Sequence, residues 1–247
     1  MKIYTYYEEV GFANQKQLIE QWSLSWQNNG FETHVLTRDD AKQSPLFNRY
    51  YDFVQDIHTA VAKKELIDSS YWMAAQLEIV AWHTIQSPSF ISDYDVINKN
   101  WKFYGEINSK VHWREHCCPC FASGDYKGWQ RYLNFLFDNK DKIVPWCREE
   151  NERSHRTKFG DQDFLVAVYE KCDLSSILSV CDISRHQDRI CRHYDPDELK
   201  KYPGMQIYHL GHDPSWMVAK RLGYRHQDLE SYRVETAKRI IRTQKEY

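Results

Sequence analysis

The sequence predicts a single α/β domain with a mostly parallel central sheet flanked by helices. Three observations carry this. Residues 1–7 and 31–37 are β-like and enclose a helix-patterned stretch, and a strand–helix–strand unit that short implies parallel strands joined by a right-handed crossover. A third apolar run at residues 90–98 follows a long helical pattern at 63–85. The total of 247 residues suits one large domain with its own core.

Taken in order, residues 14–28 place Leu18, Ile19, Trp22 and Trp26 at helical spacing, and Asn29-Gly30 is a good terminator. Residues 31–37 alternate as a strand, and Thr37-Arg38-Asp39-Asp40 supplies a polar tip and an N-cap. Ligands of parallel sheets bind beyond the carboxyl ends of the strands. Thr5, Tyr6, Tyr7, Thr37 and Arg38 are therefore expected around a nucleotide pocket. Residues 45–54 form a short aromatic-rich segment. The helix at 63–85 carries Leu66, Ile67, Trp72, Leu77, Val80 and Ala81 on a broad apolar side, and Gln86-Ser87-Pro88-Ser89 ends it.

That helix delivers the chain into Phe90-Ile91-Ser92-Asp93-Tyr94-Asp95-Val96-Ile97-Asn98. The expectation is one strand with an acidic tip, where residues i and i+2 share a face. Asp93 and Asp95 would then point into one space, and two converging carboxylates either repel or share an oxygen-preferring cation such as Mg²⁺ or Mn²⁺. Two other Asp-x-Asp triplets occur, at Asp161/Asp163 and Asp195/Asp197. Asp195-Pro196-Asp197 reads as a turn or helix start. Asp161-Gln162-Asp163 opens an apolar helix, where acids complement the dipole; the alternative is a pocket carboxylate that engages an acceptor hydroxyl. Residues 205–208 suggest a late strand ending at His209, a possible third metal ligand.

Composition narrows the function classes. Lys plus Arg number 33 against 35 Asp plus Glu, so no basic field points to nucleic acid. Seven Cys, no apolar leader and no run near the roughly 18 apolar residues of a membrane span predict a soluble, reduced, cytoplasmic protein without signal peptide or transmembrane segment. His112, His116, Cys117, Cys118 and Cys120 raise zinc, but the spacing lacks the paired C-x₂-C pattern, and a core or edge strand is the simpler reading. The last thirty residues read as a basic helix with a solvated face, with Lys220 and Arg221 close enough in sequence to His209 to meet a diphosphate.

Val35-Leu36-Thr37-Arg38-Asp39-Asp40-Ala41, the Ile91-Ser92-Asp93-Tyr94-Asp95-Val96 stretch, Phe121-Ala122-Ser123-Gly124, Asp161-Gln162-Asp163 and His209-Leu210-Gly211 fall in an order that resembles GT-A-fold glycosyltransferases carrying a DXD motif. The likeness covers roughly residues 1 to 217. It implies a GT-A-like, Rossmann-like sheet and a nucleotide-diphospho-sugar donor, most simply a UDP-sugar. It also implies a glycan or glycoconjugate acceptor and a divalent cation, commonly Mn²⁺. By the same resemblance Asp95 and His209 ligate the metal, and Asp93 serves the ribose or the metal. Tyr94 and the tips of the first two strands hold the nucleotide, with Lys220 toward the diphosphate. Asp163 or Asp161 acts on the acceptor side. The implied organisation is a domain at 1–217, with a nucleotide-binding half at 1–110 and an acceptor half at 111–217, followed by a basic helix or tail at 218–247. One departure stands out. Related enzymes carry His-x-x-Gly-x-x-Lys-Pro-Trp, whereas His209-Leu210-Gly211-His212-Asp213-Pro214-Ser215-Trp216 lacks the lysine, which makes His212 a rival to His209. The alternatives are a nucleotide-sugar hydrolase or nucleotidyltransferase, a binding domain without turnover, and a zinc module.

Overall fold

The computed structural model describes residues 1–10, 14–61, 69–107, 111–115, 118–153, 159–169, 171–172, 174, 177–180, 192–193 and 204–246. Strand β1 (Lys2–Tyr6) pairs in parallel with β2 (Glu32–Leu36) and with β3 (Ser89–Ser92). Helix α1 (Gln15–Gln27) crosses between the first two. Beyond β3, the antiparallel β6 (Cys118–Gly124) and β5 (Val111–Glu115) extend the sheet, and β7 (Leu178–Val180) closes it parallel to β5. The order is β2-β1-β3-β6-β5-β7. This is the expected α/β architecture, with parallel pairing in three of its five strand contacts.

The strand pleat sorts side chains between two cores, because successive residues face opposite sides. Ile3, Phe90 and Phe121 pack on one face with Leu18, Trp22 and Trp26 of α1. Ile91 and Ala122, their sequence neighbours, join the other core. That second core is roofed by α3 (Phe47–Val61), α4 (Ser69–Trp82), α5 (Tyr126–Asp138) and α7 (Asp161–Tyr169). A central sheet buried on both sides needs apolar residues at consecutive positions, which is why Phe90-Ile91 reads as an unbroken apolar pair. α1 ends where Gly30 takes φ +85°, a left-handed conformation that glycine adopts without Cβ strain.

Two expectations change. Residues 90–98 are not one strand: β3 stops at Ser92, the chain turns, and β4 (Val96–Asn98) leaves the main sheet. There β4 pairs antiparallel with β9 (Ile207–His209), which also pairs with β8 (Arg192–His193). Val96 N–H donates to Asp93 O at 3.0 Å to close the turn. Aspartates favour turns over strands, and this pair breaks the run. The aromatic segment at 45–54 is part of the full helix α3, whose Tyr50, Phe53, Val54, Ile57 and Val61 form one buried stripe. A further helix, α6 (Lys140–Arg153), contains Pro145. Toward the end, α8 (His212–Arg221) precedes α9 (Leu229–Arg242), and α9 docks on α1 and β4. Among the described residues no helix is long and apolar enough to cross a membrane.

Candidate functional site

β3 ends at the same edge as the parallel strands β1 and β2, and the turn after it carries Asp93 and Asp95. His209 reaches them through sheet pairing. In the β4–β9 ladder Val96 stands opposite His209, and Leu210 N–H donates to Asp95 O at 2.9 Å. One ligand atom from each of Asp93, Asp95 and His209 lies within 4.8 Å of the others. The acids therefore converge as expected, through a turn and not through the pleat of one strand.

The geometry fits a divalent cation. Asp95 Oδ1 and His209 Nε2 face each other at 3.4 Å, too long for a well-formed hydrogen bond. Two donors each about 2.1 Å from a shared ion and at right angles to it lie about 3 Å apart. Carboxylate oxygens with one imidazole suit Mn²⁺, and Mg²⁺ through its oxygens. Charge points the same way. Among the described residues, the carboxylates of Asp93, Asp95 and nearby Glu230 gather around the guanidinium of Arg233.

Arg233 was not legible as part of this site. It lies on α9, in the stretch expected to be a solvated basic face, yet it is only 4 % exposed. Its Nε donates to Leu210 O at 2.8 Å, one terminal nitrogen to both Glu230 oxygens at 2.9 Å, and the other to Asp95 Oδ2 at 2.5 Å. Burial opposes the ionised form of Asp95, but His209 and Arg233 overcome it and hold the carboxyl below its ordinary range. For His209, burial works against the imidazolium, and neighbouring Cys120 and Asp95 reverse this and raise its pKa well above the ordinary value.

The residues expected on the donor side fall at the ends of β1 and β2, with Tyr94 in the turn after β3. Thr5 is fully buried, and its hydroxyl has no hydrogen-bond partner. Tyr6 hydroxyl donates to Glu8 Oε2 at 2.8 Å, and Arg38 pairs with the other Glu8 oxygen at 2.5 Å. Glu8 is a second residue that sequence reasoning missed, because nothing in Glu8-Glu9 after the strand shows that Glu8 turns back to Tyr6 and Arg38. Tyr7 continues the β1–β2 ladder by donating its N–H to Leu36 O. The N–H and hydroxyl of Thr37 both donate to Asp40 Oδ2 at 2.8 Å, which starts α2 (Arg38–Ala41). Tyr94 hydroxyl accepts from Gln15 Nε2 at 3.0 Å, and burial pushes its pKa up to about 12.

Other expected residues stand outside the cluster. Asp163 is buried near the start of α7 and accepts from Gly160 N–H at 2.7 Å through Oδ2. Lys220 lies exposed in the last turn of α8. The side chains of Asp161 and His212 lie outside the described residues, as do Asp195, Asp197 and the His112–Cys118 part of the zinc reading. Cys120 is buried and neighbours His209.

No family model matches the chain, and no curated protein matches it in sequence. Several solved structures align with it. The apo form of mouse xyloside xylosyltransferase 1 is 12% identical over 84% of this chain and 96% of that one, at a TM-score of 0.43. Galactosyltransferase LgtC, in complex with donor and acceptor sugar analogs, is 12% identical over 98% of this chain and 96% of that one, at a TM-score of 0.48. Glycosyltransferase GlyE from Streptococcus pneumoniae TIGR4 is 13% identical over 98% of this chain and 62% of that one, at a TM-score of 0.46. At these TM-scores the site has to be read from its own residues.

Proposed function

We propose that this chain is a divalent-metal-dependent glycosyltransferase of the hexosyltransferase type. It moves a sugar from a nucleotide-diphosphate donor, a UDP-sugar, to a hydroxyl of a glycan or glycoconjugate. The observation that carries the reading is the convergence of Asp93, Asp95 and His209 at the carboxyl end of β3, beside the ends of β1 and β2. The resemblance of the surrounding motifs to DXD glycosyltransferases supports it independently.

Asp95 and His209 hold the cation, and Asp93 serves either the cation or the donor ribose. A bound Mn²⁺ or Mg²⁺ stabilises the negative charge that develops on a departing nucleoside diphosphate. Thr5, Tyr6, Tyr7, Thr37, Arg38 and Tyr94 frame the nucleotide, and Lys220 adds positive charge toward the diphosphate. Asp163 and Asp161 are assigned to the acceptor side, where an inverting enzyme removes the hydroxyl proton with a carboxylate.

The test is UDP and UDP-sugar binding with and without Mn²⁺, followed by a screen for sugar transfer and hydrolysis, on the wild type, Asp93→Asn and His209→Gln. Binding that requires Mn²⁺ and is lost in both variants supports the reading; metal-independent binding that both retain overturns it. A second reading is favoured by one contact. Arg233 already neutralises Asp95 without a cation, as a sugar-nucleotide-binding domain without turnover would need. In that case donor binding is unaffected by chelators and no transfer follows.

A further inference from the structure

Arg233 is a buried guanidinium whose three nitrogens all have partners in one small region. It touches both segments that carry the candidate ligands. One terminal nitrogen holds Asp95 Oδ2, which leaves Oδ1 as the oxygen turned toward His209. Nε holds Leu210 O, the carbonyl of the residue that follows His209. Glu230, one helical turn earlier on α9, fixes the guanidinium through both its oxygens. The backbone bond from Leu210 N–H to Asp95 O at 2.9 Å closes the arrangement. A planar fork can grip a carboxylate and a carbonyl at once, which a lysine ammonium cannot do with the same geometry.

On this basis, and resting on the metal-site reading above, we infer that Arg233 is the positioning residue of the centre. It is the standing counter-cation that keeps the Asp95 carboxylate and the His209 strand end in ligand geometry before a metal arrives. Its guanidinium bonds run to the protein, to Asp95, Glu230 and Leu210. Its two effects are separable. Without Arg233, Asp95 and Glu230 are buried with no guanidinium between them, and the metal-free protein loses stability. Among the described residues, the His209 side chain and a bound divalent cation are then the counter-charges left to Asp95, so the protein's stability depends on the metal far more than in the wild type.

The experiment is thermal unfolding of the full chain, metal-free and with saturating Mn²⁺ alone, for wild type, Arg233→Met, Arg233→Lys, Asp95→Asn and the Arg233→Met/Asp95→Asn double variant. The metal-free Tm of Arg233→Met is expected to fall by roughly 6–20 °C, the range for breaking a buried ion pair in a chain of this size. Mn²⁺ is expected to raise it by at least about twice as many degrees as it raises the wild type, the extra stabilisation coming through ligand linkage. The extra rise should vanish in the double variant. Arg233→Lys keeps the charge without the fork and should fall between; it carries the same comparison if Arg233→Met does not fold without metal. Equal Mn²⁺-induced rises in wild type and Arg233 variants, or a metal-free Arg233→Met as stable as wild type, would overturn the inference while leaving the metal reading standing. Silence toward Mn²⁺ in every protein would instead remove the metal reading, and this inference with it.

Discussion

His83 and His209 are both buried, but their surroundings follow opposite logic. His83 follows α4, with Nδ1 2.8 Å from Ser44 Oγ and Nε2 3.1 Å from Gln130 Oε1. Its ring stacks on Tyr126 at 4.3 Å. The neutral Nε2–H tautomer satisfies every one of these bonds, since Ser44 hydroxyl then donates to Nδ1 and itself accepts from Leu46 N–H. Burial accordingly lowers the His83 pKa, with the Gln130 bond opposing. His209 instead sits among formal charges, with its Nε2 3.4 Å from Asp95 Oδ1 and Arg233 on the other Asp95 oxygen. A histidine whose hydrogen bonds are complete braces a core. One whose ligand atom lies within 4.8 Å of those of two aspartates can join them around a cation.

The largest expected effect breaks the comparison outright. Asp95→Asn or His209→Gln should weaken Mn²⁺ binding by more than about 100-fold, beyond the range typical of outer-shell changes. His83→Gln should leave Mn²⁺ affinity unchanged. A Mn²⁺ titration followed by paramagnetic resonance reads both, and an equal loss in the two groups would erase the distinction.

Asp163 asks which kind of carboxylate the second buried acid is. Asn keeps an acceptor for Gly160 N–H, so Asp163→Asn should leave Tm nearly unchanged. If Asp163 is the acceptor-side base, the variant should lower kcat by about 10²–10⁴-fold. Steady-state transfer rates decide this, and an unchanged kcat assigns Asp163 to helix capping alone.

The smallest effect concerns pH. His83 is held neutral in the fold and has an unfolded pKa near 6.5. Its contribution to stability is therefore complete above that pH and is lost as pH falls through the lowered folded value. His83→Gln should reduce Tm at pH 7.5 by roughly 2–12 °C, the cost of leaving buried polar partners unmatched. It should also flatten the decline of Tm between pH 7 and 5. Parallel pH profiles of wild type and variant would refute the assignment.

The parallel half of the sheet was legible because its signals are local. The α1 stripe of Leu18, Trp22 and Trp26 and the alternation of residues 31–37 lie within short windows. α6 was hidden by Pro145 and by a buried face of only Ile143, Cys147 and Asn151. At the site, two adjacent acids advertise themselves, and a histidine at a strand tip can be guessed. Arg233 could not be. Its burial follows from α9 packing on α1, where Asn14 amide donates to Ser231 hydroxyl at 3.2 Å. No pattern around Arg233 distinguishes it from Arg239 or Arg242. Contacts that far apart in sequence reveal themselves only through tertiary packing.

The separation has a consequence for biogenesis. Arg233 follows Asp95 by 138 residues, so at translation speeds of 5–20 residues per second the ribosome needs about 7–28 s to make its counter-charge after making the acid. During that interval the nascent chain can pair β1, β2 and β3, while the acidic turn has neither the His209 strand nor α9 against it. The turn stays exposed to water until α9 emerges and completes the ion pair with Asp95.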